Sequence, residues 1–149
     1  MVKLNKTDHK DHDFHVLVSH LDAYLAKVDG EEHDFYNQFN GIQNLNHCIV
    51  AYLNGEPVAC GAIKRFDENS MEVKRMFTLP AKRGQGLASK VLTALEEWAK
   101  ALGYGSCILE TGKRQHDAVA FYKKIGYEIV PNYGQYVGKA NSLCFQKKF

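Results

Sequence analysis

The chain has 149 residues, 45% of them hydrophobic and 24% charged, which is ordinary globular composition and argues against disorder. Its formal net charge of +2 is too small to imply a nucleic-acid surface, and no Lys/Arg run exceeds a pair. No apolar stretch approaches the roughly 20 residues of a membrane span, so neither nucleic acid nor membrane is an expected partner.

In chain order, "MVKLNK" alternates and predicts a first strand. The stretch "MVKLNKTDHKDHDF" is too polar to contain a signal peptide's apolar region. From about Asp13, the residues Phe14, Leu17, Val18, Leu21, Tyr24, Leu25 and Val28 recur at helical spacing, and Gly30 suits the stop. His9, His12, His15 and His20 lie among aspartates here, but they form no i, i+4 ligand pair. They are read as a solvated helix start capped by Asp11 or Asp13, and no metal is expected.

"EEHDFYNQFNG" adds a short second helix ending near Gly41. "HCIVAYLNGEPVACGAIKRF" reads as two strands joined at Asn54-Gly55, a strong hairpin signal. "SMEVKRMFTL" is a further strand, stopped by Pro80. Leu87, Val91, Leu92, Leu95, Trp98, Ala99 and Leu102 then form one apolar helical stripe. "SCILET" has a buried-strand pattern, and Ala118, Phe121, Tyr122 and Ile125 mark a helix from near Gln115 to a Gly126 stop. "YEIVP" and "ANSLCFQKKF" close the chain as strands. The order β, α, α, β, β, β, α, β, α, β, β predicts an α/β fold with a mixed sheet covered by helices on both faces. No linker or repeat divides it, so residues 1–149 are expected to form one domain. Cys48, Cys60, Cys107 and Cys144 each sit in an apolar run and are read as reduced, buried thiols of a cytoplasmic protein.

"AKRGQGLASK", between the fourth strand and the long helix, is the segment that carries chemistry. It lacks the Gly-Lys-Ser/Thr ending of a nucleotide P-loop, and Ser89 occupies the third glycine position of a dinucleotide fingerprint. By glycine count it is only a loop into a helix. Its context is more specific. The N–H groups of Gly84 to Ala88 fall at a positive helix end without intrahelical partners, glycines allow close approach, and Arg83 adds a charge. Strand, donor-rich turn and helix make a credible pyrophosphate site.

Arg83-Gly84-Gln85-Gly86-Leu87-Ala88 resembles the Gln/Arg-x-x-Gly-x-Gly/Ala signature of the GNAT superfamily of N-acetyltransferases. "EVKRMFTLP", Glu72 to Pro80, resembles the strand preceding that signature, and "QHDAVAFYKKIGY", Gln115 to Tyr127, resembles the family's late helix. The three segments come in the family's order, and the likeness spans Val2 to Phe149.

This resemblance implies acetyl-CoA as acyl donor, bound where two parallel strands splay, the one ending near Thr78 and the one beginning near Ser106. It implies cofactor contacts from Met76, Phe77, Thr78, Arg83, Gly84, Gln85, Gly86, Leu87, Ala88, Gln115 and Tyr122. The pantetheine arm would pair with the backbone of Met76 and Thr78, and the Met76 N–H would stabilise the developing oxyanion. Tyr122 matches the family's general acid, since a phenol remains protonated at neutral pH. Glu72 matches a glutamate base of histone-acetylating members, although many members use waters or other groups. Strand parity would put Glu72, Lys74, Met76 and Thr78 on one face. Gln115 stands where asparagine is common.

The acceptor pocket is implied among "EEHDFYNQFN" and "PNYGQYVGKAN", where Tyr133 and Tyr136 either wall it or pack the loop against the body. The expected reaction is direct transfer of an acetyl group to a primary amine, by default of a small molecule. A non-catalytic acyl-CoA-binding module is the alternative, and a homodimer through the last strands is left open.

Overall fold

The computed structural model describes residues 1–38 and 41–149. Its elements are β1 (Val2–Thr7), α1 (His12–Asp29), α2 (His33–Asn37), β2 (His47–Leu53), β3 (Glu56–Arg65), β4 (Ser70–Thr78), α3 (Leu87–Ala101), β5 (Ser106–Gly112), α4 (His116–Lys124), β6 (Glu128–Val130) and β7 (Ser142–Lys148). Their order is the one the periodicities predict. The end of the expected second helix, residues 39–40, lies outside the described residues.

Local chemistry accounts for the element ends. Asp11, rather than Asp13, caps α1, its Oδ1 accepting from the Phe14 N–H at 2.9 Å. Asp13 accepts instead from the Tyr52 hydroxyl at 2.6 Å, tying the helix to β2. Asn54 and Gly55 both take positive φ, 52° and 83°, as a tight two-residue hairpin turn demands. Leu102 follows the last turn of α3 and is exposed, so the buried stripe of that helix ends at Ala99.

The strands form one sheet in the order β1-β2-β3-β4-β5-β7-β6, antiparallel except for the parallel pair β4–β5. One face packs on α1 through Phe14, Leu17, Val18 and Leu21 against Cys48, Val50, Cys60, Ala62 and Phe77. The other packs on α3 and α4, with Val91, Leu92, Leu95 and Tyr122 against Ile49, Ala59, Ile63, Leu109 and Phe145. Burial on both faces explains why β2, β3 and β5 read as nearly continuous apolar runs. Each such side chain removed from water contributes on the order of 1.5–3 kcal/mol. All four cysteines are buried in this core and free.

Two irregularities in β4 build the site. Its pairing with β5 covers only Ser70–Glu72 against Ser106–Ile108, after which the two strands part. The second is a bulge. Lys74 lies opposite Ala62 and Phe77 opposite Cys60, so Arg75 and Met76 together face Gly61. Arg75 takes φ 58°, and its carbonyl accepts from the Cys60 thiol at 3.4 Å.

The bulge overturns the single-face expectation for this strand. Phe77 falls in the α1-side cluster, whereas Met76 packs with the α3-side cluster. Ala62, the partner of Lys74, lies on the α1 side, and Ala59, the partner of Thr78, on the α3 side. Glu72 and Lys74 therefore share one face, while Met76 and Thr78 belong to the other. One extra residue reverses the alternation.

Candidate active site

Where β4 and β5 diverge, the sheet opens into two chambers with a common wall. The outer one is a cleft of about 630 Å³ running from β4 past the start of α3 to α4. The inner one, about 120 Å³, lies in the wedge between the strands. Leu21, Met76, Gln115, Ala118 and Tyr122 line both. Among the described residues, the two chambers adjoin at this wall.

The outer cleft is lined by Met76, Phe77, Thr78, Arg83, Gly84, Gly86, Leu87 and Ala88, all expected from the sequence. Gly86 is the N-cap of α3 in a left-handed conformation, φ 76°, and supplies no side-chain cap. The N–H groups that open α3 thus have no side-chain cap from Gly86, and they carry the positive end of the helix dipole. Gly84 is also left-handed, and at both glycines the space that a Cβ would enter is empty within 4 Å. Here the backbone itself is the accessible surface.

Gln85 behaves differently. Its side chain donates to the Lys82 carbonyl at 3.3 Å, and it is absent from the cleft lining. The Arg83 Nε donates to the Thr78 carbonyl at 3.1 Å, and its guanidinium lies 5.8 Å and 5.9 Å from the centres of the Tyr24 and Phe77 rings. The charge is held over the cleft floor by stacking and one hydrogen bond. The Thr78 hydroxyl is buried and without a hydrogen-bond partner among the described residues. An orphaned hydroxyl, open glycines and a helix start fit a long ligand with a polar arm and an anionic end.

Tyr122 stands in the shared wall, 7% exposed, in aromatic contact with Phe121, Tyr127 and Phe145. Burial, then the negative charge of Glu110, push its phenol above the ordinary value. It is a proton donor at any physiological pH. Gln115 is the N-cap of α4 but makes no side-chain cap bond, which leaves its amide facing both chambers.

The inner chamber is more acidic than the sequence suggested. Glu72 lines it, but its Oε2 accepts from the Tyr133 hydroxyl at 2.7 Å and its Oε1 lies 3.9 Å from the Lys74 ammonium. Tyr136 lines the chamber and is 2% exposed, while Tyr133 acts on Glu72 from behind and packs edge-on against Phe66. Of the two loop tyrosines, Tyr136 alone lines the inner chamber.

Sequence reasoning missed Glu110, Asp29, Tyr36 and Lys74, which complete the chamber. Burial pushes the Glu110 carboxyl up to about 7 and pushes the Lys74 ammonium down. A glutamate inside the apolar run "SCILET" was the available signal. Tyr24 was also misread, since it falls on the apolar stripe of α1 yet is exposed and lines the outer cleft. Among the described residues, no cluster of three His, Cys, Asp or Glu side chains could hold a metal, and no helix is long and apolar enough to cross a membrane.

Residues 14–127 match the acetyltransferase (GNAT) family. An IAA acetyltransferase from Azospirillum brasilense is 34% identical over 136 residues, which cover 88% of this chain and 87% of that protein. A Klebsiella pneumoniae structure, provisionally named an acyl-CoA N-acyltransferase, superposes with TM-score 0.83 at 30% identity, covering 99% of this chain and 97% of the other. A GNAT acetyltransferase from Elizabethkingia anophelis, solved with acetyl-CoA bound, shares the fold at TM-score 0.69 and 15% identity, covering 99% and 98%. With the match spanning both the signature turn and the late helix, the chain belongs to the GNAT family of acetyltransferases.

Proposed function

We propose that the protein transfers an acetyl group from acetyl-CoA to the primary amine of a small molecule, by direct attack within a ternary complex. The observation that carries this reading is the shared wall. Donor cleft and inner chamber meet at Met76, Gln115 and Tyr122, which puts a buried phenolic proton donor between them.

Acetyl-CoA is the acyl donor and so a substrate. Its pyrophosphate lies against the N–H groups from Gly84 to Ala88, with Arg83 adding charge from the cleft floor. Its pantetheine arm runs along β4, where the lost pairing with β5 supports hydrogen bonds to the backbone of Met76 and Thr78. Phe77 and Leu87 offer apolar contact, and the Gln115 amide offers a further hydrogen bond. The Met76 N–H faces the thioester carbonyl and stabilises the oxyanion that forms on it. Tyr122 donates its proton to the departing sulfur. The acceptor's ammonium must first lose a proton, because only the free amine has a lone pair. Two carboxylates on the splayed strands are available for this, Glu72 and Glu110.

The testing experiment is calorimetric titration with acetyl-CoA of wild type, Arg83→Glu and Tyr122→Phe. Saturable binding that the charge reversal weakens and Tyr122→Phe spares is expected. A rate of CoA release with amines that falls about 10²–10⁴-fold in Tyr122→Phe is expected with it. Absence of binding at millimolar acetyl-CoA would sink the reading. Binding with full turnover in Tyr122→Phe would remove the acid alone.

A further inference from the structure

We propose that Glu110, and not Glu72, seats the acceptor's ammonium group and takes its proton. This rests on the transferase reading above and concerns the inner chamber of that same site.

The placement of Glu110 is topological. The last β4–β5 pair is Glu72 with Ile108, so Glu110 is two residues beyond the point where β5 parts from β4, still paired with β7 and inside the wedge. It is half-buried, which keeps its carboxylate reachable from the chamber while limiting its hydration. Its charge is felt by the Tyr122 phenol, so the proposed base and acid occupy one electrostatic neighbourhood.

The groups around Glu110 define what it can hold. From β7, Ser142 hydrogen-bonds it. From β4, Lys74 and Glu72 face it, and from the end of α1, Asp29. The hydroxyls of Tyr36 and Tyr136 sense its charge from the opposite wall. Three carboxylates thus meet one lysine. The other cation in the lining, Arg75, is spent on Asp22 of α1. The balance favours a cation, and an alkylammonium is the cation this reaction supplies.

Glu72 is the weaker candidate for a geometric reason. Both its oxygens are engaged, one by the Tyr133 hydroxyl and the other beside Lys74. With Oε2 turned to the Tyr133 hydroxyl and Oε1 toward Lys74, it has no oxygen turned to an incoming ammonium. It positions Lys74 and the loop instead. Glu110 is different, because burial raises its proton affinity into the neutral range, where a base both takes up and releases a proton.

The step balances. Glu110 takes one proton from R–NH3⁺, and the freed lone pair forms the N–C bond to the thioester carbonyl. The C–S bond then breaks. Tyr122 gives its proton to the departing sulfur and recovers one from the acylated nitrogen. The products are the amide and the free thiol, and the proton on Glu110 returns to water.

The test compares wild type, Glu110→Gln and Glu72→Gln by two measurements. In the first, carbon-detected NMR of protein labelled at glutamate carboxyl carbons is followed from pH 4 to 9. A resonance with midpoint near 7 should vanish in Glu110→Gln and persist in Glu72→Gln. In the second, CoA release is followed against pH with acetyl-CoA and a panel that includes n-butylamine and phenethylamine. Glu110→Gln should lower kcat/KM by about 100-fold or more and abolish the fall in rate below neutrality, with acetyl-CoA affinity kept. Glu72→Gln should retain that limb. A Glu110 midpoint at about 4–5, or a wild-type rate profile in Glu110→Gln, would overturn the proposal. The carboxyl titration decides even where no amine of the panel turns over. If the wild type fails to bind acetyl-CoA in calorimetry, the transferase reading falls first and this one with it.

Discussion

Gly61→Ala tests the bulge on which the whole site depends. A Cβ at Gly61 would run into the Met76 sulfur, and would come within 2.9 Å of Leu95 Cδ1 and 3.1 Å of Val91 Cγ1. Leu95 and Val91 are completely buried on α3, so neither has free space to yield. Met76 is half-buried and its thioether can swing aside only into the chambers it lines, so the remaining strain falls on Leu95 and Val91. Overpacking of this kind costs roughly 1–3 kcal/mol. For a chain of this length that corresponds to a fall of about 2–12 °C in Tm. Urea unfolding followed by circular dichroism should give a lower midpoint with an unchanged m value. Acetyl-CoA binding should weaken as well, because Met76 lines both chambers. Gly61→Ala combined with Met76→Ala removes the sulfur in the way and should cost less than the two changes added separately. A loss below about 0.5 kcal/mol for Gly61→Ala, with additive behaviour in the double variant, would refute the packing argument.

Glu110 should make stability pH-dependent. Its carboxyl rises from 4.5 to about 7 on folding, so the stabilisation from holding a proton is complete below about pH 4.5 and lost as pH rises through 7. Glu110→Gln should therefore raise the urea midpoint at pH 8 more than at pH 5, by an amount bounded at about 3 kcal/mol. An equal effect at both pH values would count against it. Burial pushes the thiols of Cys48, Cys60 and Cys107 up to about 12 and that of Cys144 to about 11. A chromogenic disulfide reagent at pH 7.5 should react with none of them in the native protein and with all four in denaturant, since the thiolate is the reacting form. Tyr127 donates to Glu96 at 2.8 Å, beside the Lys147 ammonium at 3.2 Å, in the core behind α3. Tyr127→Phe should cost about 1–3 kcal/mol by leaving a buried carboxylate oxygen without its donor, and an unchanged urea midpoint would contradict this.

Element order and the lining of the outer cleft were legible because each rests on a local rule. Asn54-Gly55 takes the two positive φ angles that its turn requires, and Gly86 opens α3 where the motif puts it. The face assignment along β4 was not legible. Alternation presumes an uninterrupted pleat, and "VKRMF" contains no glycine or proline to announce a bulge at Arg75. The inner chamber was legible only in pieces, since Glu72 and the stretch holding Tyr36 were named while Asp29 and Glu110 were not. Asp29, Tyr36, Glu72 and Glu110 come from four elements, and only the tertiary fold brings them to one wedge. Tyr24 shows the converse limit, because helical spacing assigns a side to a residue and cannot tell whether that side is core or cleft wall.

The reversal of alternation at Arg75 bears on how such a protein can diversify. Upstream of it, Glu72 and Lys74 present side chains to the inner chamber. Downstream, on the proposed reading, Met76 and Thr78 serve the acyl donor through the main chain, which is the same whatever residues occupy those positions. One strand thus carries two specifications that drift independently. On that reading, substitutions before the kink can retune the acceptor without disturbing the main chain offered to the donor, while those after it answer to core packing on both faces and to the cleft they line. A lineage can explore new amines at two positions of β4 and keep its acetyl source throughout.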